Sequence, residues 1–263
     1  MTVLGFNRKD FDFMLSLARI NIGDRYLGSA LGAAWAVLNP LLMFSIFVFV
    51  FGFIFKARIP GSESTLSYSI WMICGYGPWL ATSEALTSAS YSIVTNSGLV
   101  KNMSFKTEIL PISSTIIGFI PLGVGLIVAI VLILINHENF GFSIIWLPLI
   151  VFIQFLFLSS IGLGLALITT FIRDFGILLP NILTVVLYAT PIFYPIEALP
   201  AYAQFIMKLN PFYIISSSYR TILMNNKLPD VFMLIILGIF SIFLLSTTLV
   251  IFRRIKGILP MIV

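Results

Sequence analysis

Six long apolar runs follow one another along the chain, and each approaches the roughly 20 residues that a helix needs to cross a bilayer. They predict membrane spans near residues 34–55, 70–93, 109–135, 145–171, 175–194 and 231–252. Glu84 is the one formal charge inside these runs. Because each span must satisfy its own backbone hydrogen bonds in lipid, a helical bundle is expected. A transmembrane barrel would instead show alternating strands of about ten residues, which the sequence lacks.

An amphipathic segment precedes the first run. On a helical wheel, residues 10–23 form a narrow polar stripe with apolar side chains opposite. The stripe comprises Asp12, Ser16, Arg19 and Gly23, and the apolar side comprises Phe11, Met14, Leu15, Ala18 and Ile22, flanked by Phe13, Leu17 and Ile20. This pattern suits a helix half sunk in the membrane interface. It equally suits an ordinary amphipathic helix that packs on its own protein.

The apolar pattern breaks between the fifth and sixth runs. Pro191, Pro195 and Pro200 interrupt "YATPIFYPIEALPAY", residues 188–202, and are candidates for a gating or structural role. The 36 residues from 195 to 230 are too few for a folded domain and too apolar for a free loop, so they predict short re-entrant helices between spans 5 and 6. Non-helical backbone at membrane depth is tolerated where protein buries it or water fills a cavity. The segment therefore indicates a water-facing vestibule, with a packed proline kink as the alternative.

The composition supports an all-α integral membrane protein. Hydrophobic residues make up 59% of the 263 residues and charged residues 10%, with a mean hydropathy of +1.09, whereas soluble domains are about a quarter charged. We expect an N-terminal cytoplasmic interface segment at 1–33 and a six-span domain at 34–263.

A single cysteine, Cys74, and a single histidine, His137, exclude an internal disulfide and a cysteine or multi-histidine metal site. No cofactor is expected.

Basic residues predict the orientation in the membrane. An even number of spans puts both termini on one side, and cytoplasmic termini place ten of the fifteen basic residues inside. These are Arg8, Lys9, Arg19, Arg25, Lys101, Lys106, Arg173, Arg253, Arg254 and Lys256. Lys56, Arg58, Lys208, Arg220 and Lys227 fall outside, which gives the positive-inside bias. The net charge of +5 thus reflects topology, and no nucleic-acid partner or cleavable signal peptide is expected.

Several stretches resemble the permeases of type-2 ABC exporters of lipid-linked polysaccharide. "TPIFYPIEALP" and then "LNPFYIISSSYR" are similar to the last third of these permeases. "RYLGSALGAAWAVLNPLLMFSIFVFVFGFIF" resembles the entry into their first span, and "GYGPWLATSEALTSASYSIVTNSGLVKNMSFKTEILP" resembles their second span and the following cytoplasmic loop. The resemblance implies a homodimer in the bacterial inner membrane with two copies of a separate nucleotide-binding ATPase subunit. It implies a lipid-linked glycan as substrate, with O-antigen expected.

The chain shows no means of using ATP by itself. It has no G-x-x-x-x-G-K-[ST] phosphate loop, and it lacks the several intramembrane charges of a proton relay. The expected energy source is therefore ATP hydrolysis on a partner, and the chain is expected to be a transport subunit and not an enzyme. For Glu84 we expect a structural or gating contact with neighbouring hydroxyls such as those of Thr82, Ser83, Thr87 or Ser88, or with a basic group of the amino-terminal region.

Two stretches are candidates for contact with the ATPase. In residues 96–111, "NSGLVKNMSFKTEILP", a short helix with an apolar plug and a polar rim suits a groove on another protein, and by resemblance family permeases use this loop. Its candidate residues are Lys101, Asn102, Phe105, Lys106 and Glu108. The alternative is that the lysines only set the topology. The second stretch is the corner from Arg19 to Tyr26, with Arg19 and Arg25 as contacts.

Aromatic rings suit a path for a sugar chain, because the C–H face of a pyranose rests weakly on a ring and can slide. The candidates are Trp35, Tyr76, Trp79, Tyr91, Tyr188, Phe193 and Tyr194. Tryptophan and tyrosine also gather in belts at membrane interfaces, a role that suits Trp71 and Trp146 at span ends.

Other functions share part of this pattern. A permease for capsule, teichoic acid or a small hydrophobic compound has the same six-span plan. An intramembrane lipid or glycosyl transferase would need clustered charged residues to handle a diphosphate, and the predicted spans hold Glu84 alone. A passive channel would not depend on an ATPase.

Overall fold

The computed structural model describes residues 6–25, 28–59, 64–102, 105–136 and 141–262, and the regular elements in these ranges are helices. The α-helices are α1 (Arg8–Arg25), α2 (Trp35–Phe47), α3 (Thr65–Thr95), α4 (Ser97–Asn102), α5 (Ile109–Ile117), α6 (Phe119–Ile135), α7 (Leu147–Phe171), α8 (Arg173–Ala189), α9 (Ala201–Lys208), α10 (Pro211–Leu223), α11 (Val231–Ile255) and α12 (Leu259–Ile262). Short 3-10 turns lie at Gly32–Ala34, Phe142–Trp146 and Ile196–Ala198, and a π-helical stretch, Val48–Ile54, extends α2. Tyr26 and His137 lie outside the described residues. The all-helical class predicted from the sequence is confirmed for the described ranges.

Within the described residues, four helical stretches are long and apolar enough to cross a membrane. They are Gly32–Ile54, Ile109–Ile135, Phe142–Phe171 and Val231–Ile255, and they coincide with four of the predicted spans. The predicted span at 70–93 lies within α3, whose 31 residues include Glu84 and many serines and threonines. The span predicted at 175–194 corresponds to α8, which has 17 residues. For α3 and α8 the crossing of a membrane stays a prediction.

The end of α8 differs from the prediction. The apolar run continues to Tyr194, but the helix stops at Ala189, and Thr190 has an extended backbone with φ −89° and ψ 137°. Pro191 explains the difference, because the residue before a proline is driven out of the helical region. The short helices expected after this break are present as α9 and α10. Their re-entry into a membrane stays a prediction.

α3 is the central helix of the molecule. It packs against α5, α6, α7, α8 and α10, and most of its side chains from Tyr68 to Ile93 are buried. The junction between α5 and α6 approaches α3 closely at Gly118. A Cβ there would lie 2.5 Å from the Ala81 carbonyl oxygen and 2.6 Å from the Ala85 Cβ. A side chain at position 118 would therefore force the helices apart.

α1 packs along α5 at one end of the molecule. Leu17 and Ala18 are buried in this contact, whereas Phe11, Leu15 and Ile20 are exposed. The sequence left two alternatives for this helix, and each describes one of its sides. One side of α1 packs on the protein, whereas the other side leaves apolar side chains exposed. Insertion of that outer side into a membrane interface stays a prediction.

Both ends of the described chain meet at this position. The Arg253 guanidinium, near the end of α11, lies 5.8 Å from the centre of the Phe6 ring. We call this part of the molecule the terminal end. α11 has 25 residues and therefore extends for about 37 Å, so its first residue, Val231, marks the opposite end.

Candidate functional site

A polar groove runs along α3 between α1, α5 and α8. Its cavity of about 450 Å³ is lined mainly by hydroxyl, amide and charged side chains, namely Asn21, Arg25, Ser83, Glu84, Thr87, Ser88, Tyr91, Thr95, Asn96, Ser114, Ile117 and Pro180. The α3 members recur three or four positions apart, which places them on one face of the helix. Polar side chains at membrane depth face the bundle interior, a partner or water. The groove is therefore the candidate site for the passage of polar material.

Glu84 is bound by an arginine within this groove. The Arg25 guanidinium donates from Nη1 to Oε1 and from Nη2 to Oε2, the latter at 3.0 Å. The Ser88 hydroxyl donates to Oε1 at 3.0 Å. The sequence left open a hydroxyl or a basic group of the amino-terminal region as the partner, and the structure has both. This bidentate contact joins α1 to α3.

α8 borders the groove and exposes polar as well as apolar side chains. A narrow stripe of the helix is buried, whereas Asn181, Thr184 and Tyr188 are exposed. The groove residue Tyr91 lies against α8 at Gly176, where a Cβ would come within 2.6 Å of the Tyr91 Cζ. The glycine therefore allows α3 and α8 to approach each other beside the groove.

The aromatic residues predicted to line a path lie in different environments. Tyr76, Trp79 and Phe193 are buried. The Phe193 ring lies 5.3 Å from Tyr76 and stacks on Phe47 at 4.6 Å. A path along these three rings would require a packed cluster to open, so their burial does not support that role. Of the others, Tyr91 lines the groove, Trp35 and Tyr188 are exposed, and Tyr194 is half-buried.

Arg220 holds the proline-containing segment after α8. Its buried guanidinium donates to the carbonyl oxygens of Trp71 at 3.1 Å, of Pro191 at 3.1 Å and of Ile192. The Arg220 Cζ also lies 3.5 Å from the centre of the Trp71 ring, in a cation–π contact. Two backbone carbonyls of the segment that follows the break, and one of α3, are thus satisfied by a buried cation. Trp71, a belt residue in the sequence-based interpretation, is part of this cluster.

A second cavity, of about 270 Å³, lies beside this cluster. Its walls are formed by Ile59, Trp71, Pro195, Ile196, Glu197, Tyr213, Ser217, Arg220, Thr221, Met224 and Asn225. Pro195 is half-buried in the wall, whereas Pro200 is exposed at the start of α9. A cavity with polar walls at this position supports the interpretation of the broken segment as the edge of a vestibule.

The residues predicted to contact an ATPase are unequally accessible. Lys101 and Asn102 on α4 are exposed, as is Arg19 on α1. Phe105 is half-buried, with its ring 5.4 Å from that of Phe13 on α1. The exposed residues are therefore the ones that can meet another subunit directly.

Ion pairs fasten the loop between α4 and α5 to both ends of the described chain. Lys106 Nζ lies 2.5 Å from Asp10 Oδ2 on α1, and Arg253 Nε on α11 donates to Glu108 Oε1 at 3.0 Å. The Glu108 side chain is 2% exposed. Its carboxylate faces its own protein, so its burial does not support a direct contact with an ATPase. Lys106 and Glu108 fix the position of the loop, and their contact with an ATPase stays a prediction.

Sequence reasoning missed the role of Arg220 and two of the groove hydroxyls, those of Thr95 and Ser114. The count of basic residues used Arg220 only as one of the outer charges that set the topology, because a linear sequence does not distinguish such an arginine from one that binds distant carbonyls. The groove did leave a signal. Ser83, Thr87 and Tyr91 recur every four positions, which is the spacing of one helical face.

The chain resembles known permeases along most of its length. The profile of the ABC-2 type transporter family matches residues 13–224. A Klebsiella pneumoniae protein named O-antigen export system permease protein RfbA is 26% identical over 83% of this chain and 82% of its own. A Myxococcus xanthus protein of that name is 27% identical over 88% of each chain, and a further one from Klebsiella pneumoniae is 25% identical over 94% of this chain and 93% of its own. The match includes α3, its polar groove and the segment held by Arg220, so the resemblance seen in the sequence is confirmed and the chain belongs to the ABC-2 type transporter family.

Proposed function

We propose that the chain is the membrane-spanning subunit of an ATP-driven exporter that moves a lipid-linked polysaccharide, with O-antigen as the substrate. The observation that carries the proposal is the polar groove along α3, because a polar polymer needs a hydrated path through an apolar membrane protein. The names of the three relatives support the choice of substrate. ATP hydrolysis takes place on a separate subunit.

The proposal includes six spans, with α3 as the second and α8 as the fifth. α3 is roughly 46 Å long, and its neighbours bury Ser69, Thr82, Ser90 and Ser92 among its polar side chains. α8 has 17 residues, the lower limit of the roughly 17–25 that cross a bilayer. The termini are cytoplasmic and the membrane is the bacterial inner membrane. Exposed basic residues at the terminal end, including Lys101 and Arg254, support this orientation.

A homodimer encloses the path in this proposal. Asn181 and Tyr188 are exposed on α8, and at membrane depth their polar groups need water or another polypeptide. Two copies whose grooves and α8 helices face each other hide these groups from lipid. The exposed rings of Tyr188 and Trp35, together with Tyr91 in the groove, then offer weak contacts along which sugars slide.

Two copies of the ATPase contact the terminal end through Lys101, Asn102 and Arg19. The neighbouring loop is tied to the first turn of α1 by Lys106 and Asp10. The last residue of α1, Arg25, is tied to Glu84 in the groove. α1 is therefore bound to the loop near its first residue and to the groove at its last residue. A displacement of the loop is transmitted to the groove through this helix.

Complementation tests the proposal. The chain is produced, together with the nucleotide-binding subunit from the same genome, in a strain that makes lipid-linked O-antigen but lacks its own export permease. We expect O-antigen at the cell surface with the active ATPase, and none when the phosphate-loop lysine of that ATPase is replaced. Surface O-antigen with the inactive ATPase would contradict ATP-driven export. Restoration only of a strain deficient in capsule or teichoic acid export would contradict the choice of substrate.

A further inference from the structure

Two polar cavities meet along one side of α10. The cavity beside Trp71 has a neighbour of about 250 Å³, which lies between α9, α10 and the start of α11. Both cavities have Tyr213, Ser217 and Thr221 in their walls. These residues recur every four positions and are half-buried, so they form one stripe along the outer side of the helix. We call it the α10 stripe.

The walls of these cavities carry the groups that bind sugars. A pyranose has C–H bonds on its faces, which rest on aromatic rings, and hydroxyls around its edge, which need hydrogen-bonding partners. Tyr213 and Trp71 supply rings, and the Arg220 guanidinium holds the Trp71 ring in place from 3.5 Å. Ser217, Thr221 and the exposed side chain of Asn225 supply donors and acceptors.

The size of the cavities suits a short piece of a chain. At about 270 and 250 Å³, each lies just below the roughly 300–1,000 Å³ of pockets for drug-sized molecules. Because they share the α10 stripe, the two cavities form a continuous polar surface. Such a surface fits consecutive residues of a linear polymer better than one compact ligand.

The cavities lie far from the exposed residues proposed to meet the ATPase. The smaller cavity reaches Asp230 at the start of α11, and α11 extends for about 37 Å from there to the terminal end. Under the proposed orientation, this is the side from which the polysaccharide leaves the protein. The cavities are also separate from the groove, with which they share no lining residue.

We propose that the α10 stripe and its two cavities are a saccharide subsite, which holds consecutive pyranose residues of the exported chain as it leaves the path. The inference rests on the proposed function and extends it by naming a second place where the protein touches the substrate. Because single ring and hydroxyl contacts are weak, the subsite retains the chain between ATPase cycles and still releases it.

Saturation-transfer NMR tests the subsite. The probe is the lipid-free polysaccharide released by mild acid from the producing cells, and the protein is the complete transporter in nanodiscs. Tyr213→Ala removes the ring that both cavities share, and we expect binding about tenfold weaker. Tyr202→Ala is the matched control, because Tyr202 is 74% exposed on the neighbouring α9 and lines neither cavity. Equal saturation transfer to the polysaccharide from the Tyr213→Ala and Tyr202→Ala transporters would overturn the subsite.

A second variant separates the loss of contact from the loss of fold. Asn225 is exposed just after α10, so Asn225→Ala leaves the helix intact, and we expect binding about threefold weaker. Export of O-antigen by the wild-type chain is measured in the same cells. If the wild-type transporter exports O-antigen but gives no saturation transfer to the polysaccharide probe, the subsite is overturned and the proposed function stands. Absence of export by the wild type overturns both.

Discussion

The Arg25 guanidinium, at the last residue of α1, binds both carboxylate oxygens of Glu84 on α3. The two side chains are 38% and 23% exposed, so solvent screens part of their attraction. Glu84 also accepts a hydrogen bond from Ser88, and the arginine thus completes a small polar cluster. The pair links the amphipathic helix to the wall of the groove.

Glu84→Gln tests whether this contact is structural. The amide keeps a hydrogen-bonding group but removes the charge, and we expect a loss of about 0.5–1 kcal/mol of stability with most of the export retained. Thermal unfolding in detergent measures the loss, and a double-mutant cycle with Arg25→Gln isolates the pair. Lys9→Gln, at an exposed position of α1, is the control. Abolished export by a normally assembled Glu84→Gln transporter would contradict a structural role and favour a proton-linked one.

The apolar runs of the sequence located α2, α6, α7 and α11, because a helix that crosses a membrane leaves its signal in nearly every residue. The break before Pro191 was also visible, since a proline acts on its own neighbour. Arg220 could not be placed in the same way. Its carbonyl partners Trp71 and Ile192 lie 149 and 28 positions away, and a carbonyl is present at every residue.

The candidate site was predictable to a smaller extent than the spans. Glu84 stood out because a charge in an apolar run needs a partner, and the choice of Arg25 depended on how α1 packs. The burial of Tyr76 and Phe193 likewise depends on tertiary contacts. A ring that faces a path and a ring that fills a core have the same sequence signal.

Arg253→Gln should destabilise the terminal end more than its exposure suggests. The substitution leaves the Glu108 carboxylate, 2% exposed, without its cation, and we expect a cost of about 1–3 kcal/mol. The double variant Glu108→Gln/Arg253→Gln should be less destabilised, because it buries no unpaired charge. Denaturant unfolding compares the two, with Arg254→Gln at the adjacent exposed position as the control. An equal or larger loss in the double variant would contradict this account.

Gly75→Ala should disturb the cluster around Arg220. A Cβ at this position would lie 2.6 Å from the Arg220 Cζ, so the buried guanidinium must move, at a cost of about 1–3 kcal/mol. Gly123→Ala on α6 is the matched control, since nothing lies within 4 Å of its Cβ position. We expect the control to be neutral or stabilising by up to about 1 kcal/mol. Equal melting temperatures for the two variants would show that the Arg220 contacts do not form as described.

The link between Asp10 and Lys106 should be lost only in strong acid. Hydrogen bonds from the Asn7 backbone N–H and from Lys106 hold the pKa of Asp10 below its ordinary value of 3.8. The contribution of this carboxylate to stability is therefore complete above pH 3.8, and it disappears as the pH falls through the lower folded-state pKa. The melting-temperature difference between wild type and Asp10→Asn should be constant from pH 5 to 8, decline as the pH falls below 3.8, and vanish below the folded-state pKa. A difference that shrinks between pH 5 and 8 would contradict the lowered pKa.

Thiol labelling tests whether α3 and α8 cross the membrane. Cys74 is the only cysteine and is buried, so the unmodified chain is a blank for a membrane-impermeant maleimide. Arg58→Cys, Lys101→Cys and Asn225→Cys place thiols at exposed positions before α3, in the last turn of α4 and after α10. In spheroplasts we expect labelling at positions 58 and 225, and at position 101 only in inverted vesicles. Labelling of positions 58 and 101 from the same side would exclude α3 as a span. Labelling of positions 101 and 225 from the same side would exclude α8 as a span. Without α8, the chain crosses the membrane twice between these positions, once through α5–α6 and once through α7, and returns to the same side.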